Sequence, residues 1–297
     1  MQSVHKTVLL KETIDGLNLN LNNESIVVDS TFGGGGHSVE ILKKFPKSKV
    51  IGIDQDKSAW GKAKEKFKGM EKRISFVNAN FSELGSVVED KKVDGIIFDL
   101  GLSSDQLENA GRGFSFMKDE PLLMTMKEDL KEEDLTAKEI VNTWEEKNLA
   151  DIIYGYGEER YARRIAKAIV EAREKEEIQT TFDLVRIIES AVPSIYKRGR
   201  IHYATRTFQA LRIAVNDELR VLEKGLESGF EMLKKGRRMS VITFHSLEDR
   251  IVKRFYKKLQ QEEKAILINK KPIIATSEEI KNNPRSRSAK LRILEKN

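Results

Sequence analysis

The chain has 297 residues, of which 39% are hydrophobic and 34% charged, with five prolines and no cysteine. That apolar content supports one large domain or two, and it excludes collagen-like, low-complexity and disordered classes. The missing cysteines remove disulfides, thiolate zinc sites and cysteine-nucleophile mechanisms, while the formal charge of +6 says little until its distribution is read.

The N-terminal segment lacks an uninterrupted apolar core and a small-residue cleavage site. No window approaches the roughly 18 consecutive apolar residues of a membrane span, so the expected location is cytoplasmic, with no membrane partner. Ile26–Thr31 reads as a short β-branched strand that stops at Gly33–Gly36, and Ser38–Lys44 has helical spacing. Val50–Asp54 predicts a second strand and Lys57–Phe67 a helix with Trp60, Ala63 and Phe67 on one side. Ile74–Ala79 and Gly95–Leu100 are further strands. Short apolar strands alternating with helices imply a parallel sheet covered on both faces.

That rhythm breaks after Ser104. Thr136-Ala-Lys-Glu139 is a capping-box pattern, and Tyr161–Arg173 carries an apolar stripe of Ala162, Ile165, Ala166 and Ile169. Phe208, Leu211, Val215, Leu219, Leu222, Leu226 and Leu233 predict one long helix from Phe208 to Lys235. A strand at Met239–Phe244, a helix at Leu247–Leu259 and weaker strands at Ala265–Ile268 and Lys290–Leu294 follow. The expected architecture is an α/β domain built from residues 1–104 and 216–297, interrupted by a helical insertion over 105–215.

Charge is unevenly placed. No acidic residue lies between Glu189 and Asp217, a stretch holding Lys197, Arg198, Arg200, Arg206 and Arg212. A second acid-free run, between Glu279 and Glu295, carries Lys281, Arg285, Arg287, Lys290 and Arg292. Two local basic segments fit a polyanion partner better than uniform surface charge does; the bland alternative is a solvated surface.

The strongest local pattern is Val28-Asp-Ser-Thr-Phe-Gly-Gly-Gly-Gly-His37. Gly33, Gly34, Gly35 and Gly36, between a strand and a helix, let backbone N–H groups approach a ligand closely. Asp54 ends the next predicted strand, where a carboxylate accepts both hydroxyls of a ribose, so the pattern points to nucleoside binding. The dinucleotide fingerprint needs glycine where Ser38 stands, and the P-loop needs lysine where His37 stands. S-adenosylmethionine has no phosphate and needs neither. Asn80-Phe81 are placed to flank adenine, although Phe81 is equally a core aromatic on spacing alone. Asp99, ending the fourth strand, points into the crevice or caps a turn.

These motifs resemble the bacterial 16S ribosomal RNA cytosine-N4 methyltransferase family, of MraW type. The resemblance runs nearly end to end, from His5-Lys-Thr-Val-Leu-Leu10 through Asp29-Ser-Thr-Phe-Gly-Gly-Gly-Gly-His-Ser38, Gly52-Ile-Asp-Gln-Asp56 and Asp94-Gly-Ile-Ile-Phe-Asp-Leu-Gly-Leu-Ser-Ser104. It continues in Arg112-Gly-Phe-Ser-Phe116, Tyr156-Gly-Glu-Glu-Arg160, Ala204-Thr-Arg-Thr-Phe-Gln-Ala-Leu-Arg-Ile213, Phe244-His-Ser-Leu-Glu-Asp-Arg250 and Asn283-Pro-Arg-Ser-Arg-Ser-Ala-Lys-Leu-Arg292. The resemblance implies a class I, Rossmann-like methyltransferase sheet with an inserted all-helical substrate domain. It implies S-adenosylmethionine contacts at Gly35, Gly36, His37, Asp54, Phe81, Asp99 and Gln106, and a decoding-centre cytidine of the small ribosomal subunit as substrate. Where the family has Pro-Leu-Asp-Met-Arg-Met-Asp, this chain has Pro121-Leu-Leu-Met-Thr-Met-Lys127. Leu123, Thr125 and Lys127 thus replace charged residues, and altered RNA engagement with retained chemistry is the expectation.

Methyl transfer to an exocyclic amine chiefly requires alignment of donor and acceptor. Asp99, with the carbonyls of Leu100–Leu102, is the candidate acceptor set for the amine's N–H groups. Cytosine C5 methylation generally needs a cysteine adduct, which this chain cannot form. Among the histidines, His37 is expected at the cofactor, His202 with Arg198, Arg200 and Arg206 at RNA, and His245 as either a helix cap or a base. No histidine pair has helical metal-ligand spacing, so no metal is expected. Two further readings are an RNA-binding ribosome-assembly factor with weakened catalysis, and a methyltransferase for another RNA or a small molecule. The sequence leaves oligomeric state, a homodimer included, open.

Overall fold

The computed structural model describes residues 6–88, 91–103, 106–107 and 111–297. His5, Ser104 and Asp105, which carry the start of the first motif and the expected domain junction, lie outside the described residues. The chain divides into two compact units, residues 1–101 with 219–297, and residues 102–218.

In the first unit, α1 (Leu10–Gly16) precedes β1 (Ser25–Asp29), α2 (Gly36–Lys44), β2 (Ser48–Asp54), α3 (Ser58–Ala63), β3 (Ile74–Asn78), α4 (Leu84–Val87) and β4 (Val93–Asp99). The order β3-β2-β1-β4 is parallel throughout. Alternation along the strands explains why both faces are covered. Val27 and Ile97 pack with Ile14, Ile41 and Ala59 of α1, α2 and α3, whereas Val28, Ile96 and Phe98 belong to a separate core with Leu84 of α4. The helix expected over Lys57–Phe67 is α-helical only through α3, and Lys64–Phe67 tightens into a 3₁₀ turn.

The second unit is helical: α5 (Ala137–Thr143), α6 (Glu146–Gly155), α7 (Ala162–Arg173), α8 (Thr181–Ala191), α9 (Ser194–Lys197) and α10 (Thr205–Asn216). Thr136 caps α5 by accepting the Glu139 N–H at 3.1 Å. Ile165, Ala166 and Ile169, the expected stripe, pack with Ile140, Leu149, Leu184 and Phe208 in a core of this unit's own residues.

The single helix expected over Phe208–Lys235 is two helices. Asp217 takes a left-handed conformation (φ +48°) after α10, and α11 (Glu218–Met232) starts anew. Its last residues are not helical either: β5 (Leu233–Thr243) begins six residues before the strand predicted at Met239. Then come α12 (Ser246–Gln261), β6 (Ala265–Leu267), β7 (Ile273–Ile274), α13 (Ser277–Asn282) and β8 (Lys290–Lys296). The sequence reading does not anticipate α1, α4, β7 or α13; each is short. β5 extends the parallel sheet beside β4, and β8 closes that side antiparallel, between β5 and β6. The sheet is therefore mixed rather than wholly parallel. Among the described residues, no helix is long and apolar enough to cross a membrane.

Candidate functional site

Asp29, Asp54 and Asp99 are the last residues of β1, β2 and β4, so a parallel register delivers all three carboxylates to one edge of the sheet. The strand order reverses direction between β1 and β4, where open α/β sheets form their ligand crevice. The glycine turn lies against this edge. Gly33 and Gly35 have φ of +48° and +70°. A Cβ on Gly36 would lie 1.8 Å from Thr7 Oγ1, and one on Gly35 2.9 Å from Phe32 Cζ. Side chains are excluded there by conformation at one position and by space at both.

Asp54 holds this turn in place. Its carboxylate accepts the Gly33 N–H at 2.7 Å and the Asp56 N–H at 2.9 Å. Beside the expected ribose role, the same carboxylate is a backbone clamp. Lys66 Nζ donates to the Gly34 carbonyl at 2.7 Å.

Asp29 is buried, accepts the Ser38 hydroxyl at 2.6 Å, and its Oδ1 has no hydrogen-bond partner among the described residues. Burial outweighs the Ser38 hydrogen bond and pushes its carboxyl up to about 6. Asp99 is raised further, to about 8, by burial first and then by the neighbouring charges of Asp29 and Glu248. Its N–H donates to Thr31 Oγ1 at 2.6 Å, Oδ2 lies 3.7 Å from His37 Nδ1, and Oδ1 has no hydrogen-bond partner among the described residues. A cluster so short of positive charge repels a phosphate and suits a cationic ligand such as a sulfonium. The donor set thus fits S-adenosylmethionine. Sequence reasoning misses Asp29 as a site residue, although its place directly before the glycine run is a signal for it.

Phe81 opens a 3₁₀ turn capped by Asn80, whose side-chain Oδ1 accepts the Ser82 N–H at 2.9 Å and whose Nδ2 donates to Gln55 Oε1 at 3.1 Å. The half-buried ring meets Phe98 edge-on at 5.6 Å. Packing and an exposed edge coexist at this position, so Phe81 is a core contact whichever ligand it flanks. Gln106 belongs to the second unit, where its Oε1 accepts the Ser103 N–H at 2.9 Å. His245 is a cap: Nδ1 accepts the Glu248 N–H at 3.4 Å, while Glu248 accepts the Phe244 N–H at 2.8 Å.

The basic stretch of the second unit is only partly free for a partner. Arg198 and Arg200 are exposed. Arg206 donates to the Glu158 carbonyl at 2.9 Å, and Arg212 grips Glu218 through two hydrogen bonds of 2.7 and 2.8 Å. His202 is exposed and stacks on Phe116 with centroids 4.5 Å apart, with Tyr203 at 4.2 Å. Desolvation holds its imidazole below the usual range, so it stacks as a neutral ring at pH 7. The departure at 121–127 also reads differently in three dimensions. Thr125 is buried, Leu123 is half-buried, and Lys127 is paired with Asp134. The Thr125 side chain is thus not exposed, and the Lys127 ammonium is already engaged.

Ribosomal RNA small subunit methyltransferase H of Clostridium botulinum (strain Kyoto / Type A2) is 49% identical over the whole of both chains. The protein of that name from Acetivibrio thermocellus is 48% identical, again over all of both. A solved rRNA methylase from Streptococcus thermophilus aligns with a TM-score of 0.48 at 13% identity, covering 98% of this chain and 97% of its own. The description "MraW methylase family" matches residues 2–297, and with the glycine turn and strand-end carboxylates in place the chain belongs to that family.

Proposed function

We propose that this protein uses S-adenosylmethionine to methylate the exocyclic N4 amine of a cytidine in small-subunit ribosomal RNA. The observation that carries this reading is Asp99: a carboxyl at the switch-point edge of the sheet, beside the glycine turn, with one oxygen lacking a partner among the described residues. Membership of the methylase family and two full-length relatives named as small-subunit rRNA methyltransferases support it.

Bound S-adenosylmethionine supplies an electrophilic methyl group whose bonding pair stays with sulfur. The chain's residues do the rest. Asp54 and the glycine turn hold the nucleoside part, and the acidic cluster of Asp29 and Asp99 favours positive charge nearby. A cytosine amine is a weak nucleophile because its lone pair is delocalised into the ring. In its ionised form, the minority at pH 7 that a nearby positive charge favours, Asp99 accepts one of the amine's N–H groups, turning the lone pair toward the methyl, and takes the proton that the methylated nitrogen must lose. A carboxyl raised toward neutrality is matched to that task. The helical unit recognises RNA through Arg198 and Arg200 as phosphate contacts and the Phe116–His202 stack as a base platform.

The test is incubation with methyl-labelled S-adenosylmethionine and either 30S particles or naked 16S rRNA, followed by digestion and mass spectrometry. N4-methylcytidine from the 30S reaction is expected. Label on another nucleoside, or on no nucleoside, overturns the assignment.

A further inference from the structure

The first unit contains a cavity of about 270 Å³ that the chemistry above does not use. It lies at the far end of β5, the strand beside β4, where β8 begins: Thr243 pairs with Lys290. This is the sheet edge that also carries Asp29, Asp54 and Asp99, one strand further along. Phe244 lines the cavity, and its ring lies 3.4 Å from where a Gly101 Cβ would stand, just beyond Asp99. Ile274 and Ile280 extend the apolar wall, and Ile274 is 65% exposed. Ser288, Arg287 and Lys290 also line the cavity. Lys290 is partly neutralised by Asp249 at 3.3 Å, whereas the exposed Arg287 sits in the acid-free C-terminal run. At the start of α12, the His245 side chain accepts the Glu248 N–H, and the Glu248 carboxylate accepts the Phe244 and His245 N–H groups that precede the helix.

A lining that joins aromatic and aliphatic side chains with a hydroxyl and two cations is the chemistry of an unstacked nucleotide: a π-face to pack, a sugar to hydrogen-bond, a phosphate to neutralise. Its openness at Ile274 and Arg287 suits a chain passing through rather than an enclosed small molecule. We infer that this cavity receives a single-stranded RNA nucleotide neighbouring the target cytidine, and that Arg287 contacts its phosphate. The inference rests on the proposed rRNA substrate and adds a second point of RNA engagement, in the methyltransferase unit itself.

The test uses the full chain, a short fluorescein-labelled single-stranded RNA, and anisotropy over a salt series. Arg287→Ala should lower the logarithmic salt slope by about 0.7, the value for one phosphate contact on a single strand. Ile274→Glu, also at an exposed position, should weaken binding about tenfold by spoiling a stacking wall. S-adenosylmethionine affinity by calorimetry should match wild type in both, which also reports that they are folded. If both variants bind RNA with wild-type affinity and slope, the cavity assignment is overturned. The methylation assay on 30S particles separates the two readings. Normal N4-methylcytidine formation with unaltered RNA binding sinks the cavity alone, whereas no product from wild type sinks the proposed activity while the binding series still judges the cavity.

Discussion

At the scale of single residues, the proposed roles of Asp99 and Asp54 can be separated by mutation from their structural ones. Unfolded, the Asp99 carboxyl titrates near 3.8, and folded it titrates at about 8. Between those values the folded chain holds the extra proton, so stability falls as pH rises through the window and levels off above it. Asp29 acts in the same direction between 3.8 and about 6. The melting temperature of wild type should therefore drop between pH 5 and 8 more steeply than that of Asp99→Asn, measured without cofactor. Parallel curves would remove the buried-carboxyl account. For Asp54, alanine loses both the ribose acceptor and the clamp on Gly33 and Asp56. Asparagine keeps one acceptor oxygen. Calorimetry should show affinity for S-adenosylmethionine reduced roughly ten- to a hundredfold in Asp54→Ala, on about 1.5–3 kcal/mol for a charge-assisted hydrogen bond. Its melting temperature should also fall, whereas Asp54→Asn should keep more of the thermal stability. A folded alanine variant with unchanged affinity would disprove the ribose role.

At the scale of elements, the first four strands and the glycine turn were legible because their signals are local: β-branched runs, then glycine, then helical spacing. The error at Phe208–Lys235 shows where local signals stop. The apolar positions continue in register across Asp217, and only the left-handed turn breaks the helix. The expected helix runs on through Lys235 because Leu233 keeps the apolar spacing and the two lysines after it suit a helix end. Lys234 and Arg237 instead reach the buried Asp94 at 2.8 and 3.3 Å, and Arg238 reaches Glu295 at 2.8 Å. Partners so distant in sequence leave no periodic trace. The basic stretch misled similarly, since the Glu158 carbonyl that engages Arg206 lies on another segment. In α11, Gly225 exists for Phe81: a Cβ there would sit 2.6 Å from its ring. Gly225→Ala should cost about 1–3 kcal/mol in urea unfolding by overpacking. Because Phe81 must shift, it should also weaken cofactor binding. Normal affinity in the destabilised variant would take Phe81 out of the site.

At the scale of the whole molecule, two units with separate cores divide the expected labour, the sheet binding the methyl donor and the helical unit meeting RNA. Replacing Arg198 and Arg200 with alanine should flatten the salt dependence of RNA binding by roughly 1.4–1.8 logarithmic units, at 0.7–0.9 for each phosphate no longer neutralised. Cofactor affinity should be untouched, and an unchanged slope would return both arginines to plain solvated surface. The discontinuous sheet has one more consequence, for how the chain is made. β4 and β5 are neighbours, yet the Asp94–Lys234 ion pair that joins them spans 140 residues. At elongation rates of about 5–20 residues per second, the free edge of β4 waits roughly 7–28 s for its partner to be synthesised. Throughout that interval an apolar, hydrogen-bonding edge is open to any other strand. Ribosomes stalled within the helical insertion should therefore yield protease-sensitive, aggregation-prone nascent chains, whereas the released full-length chain should be neither.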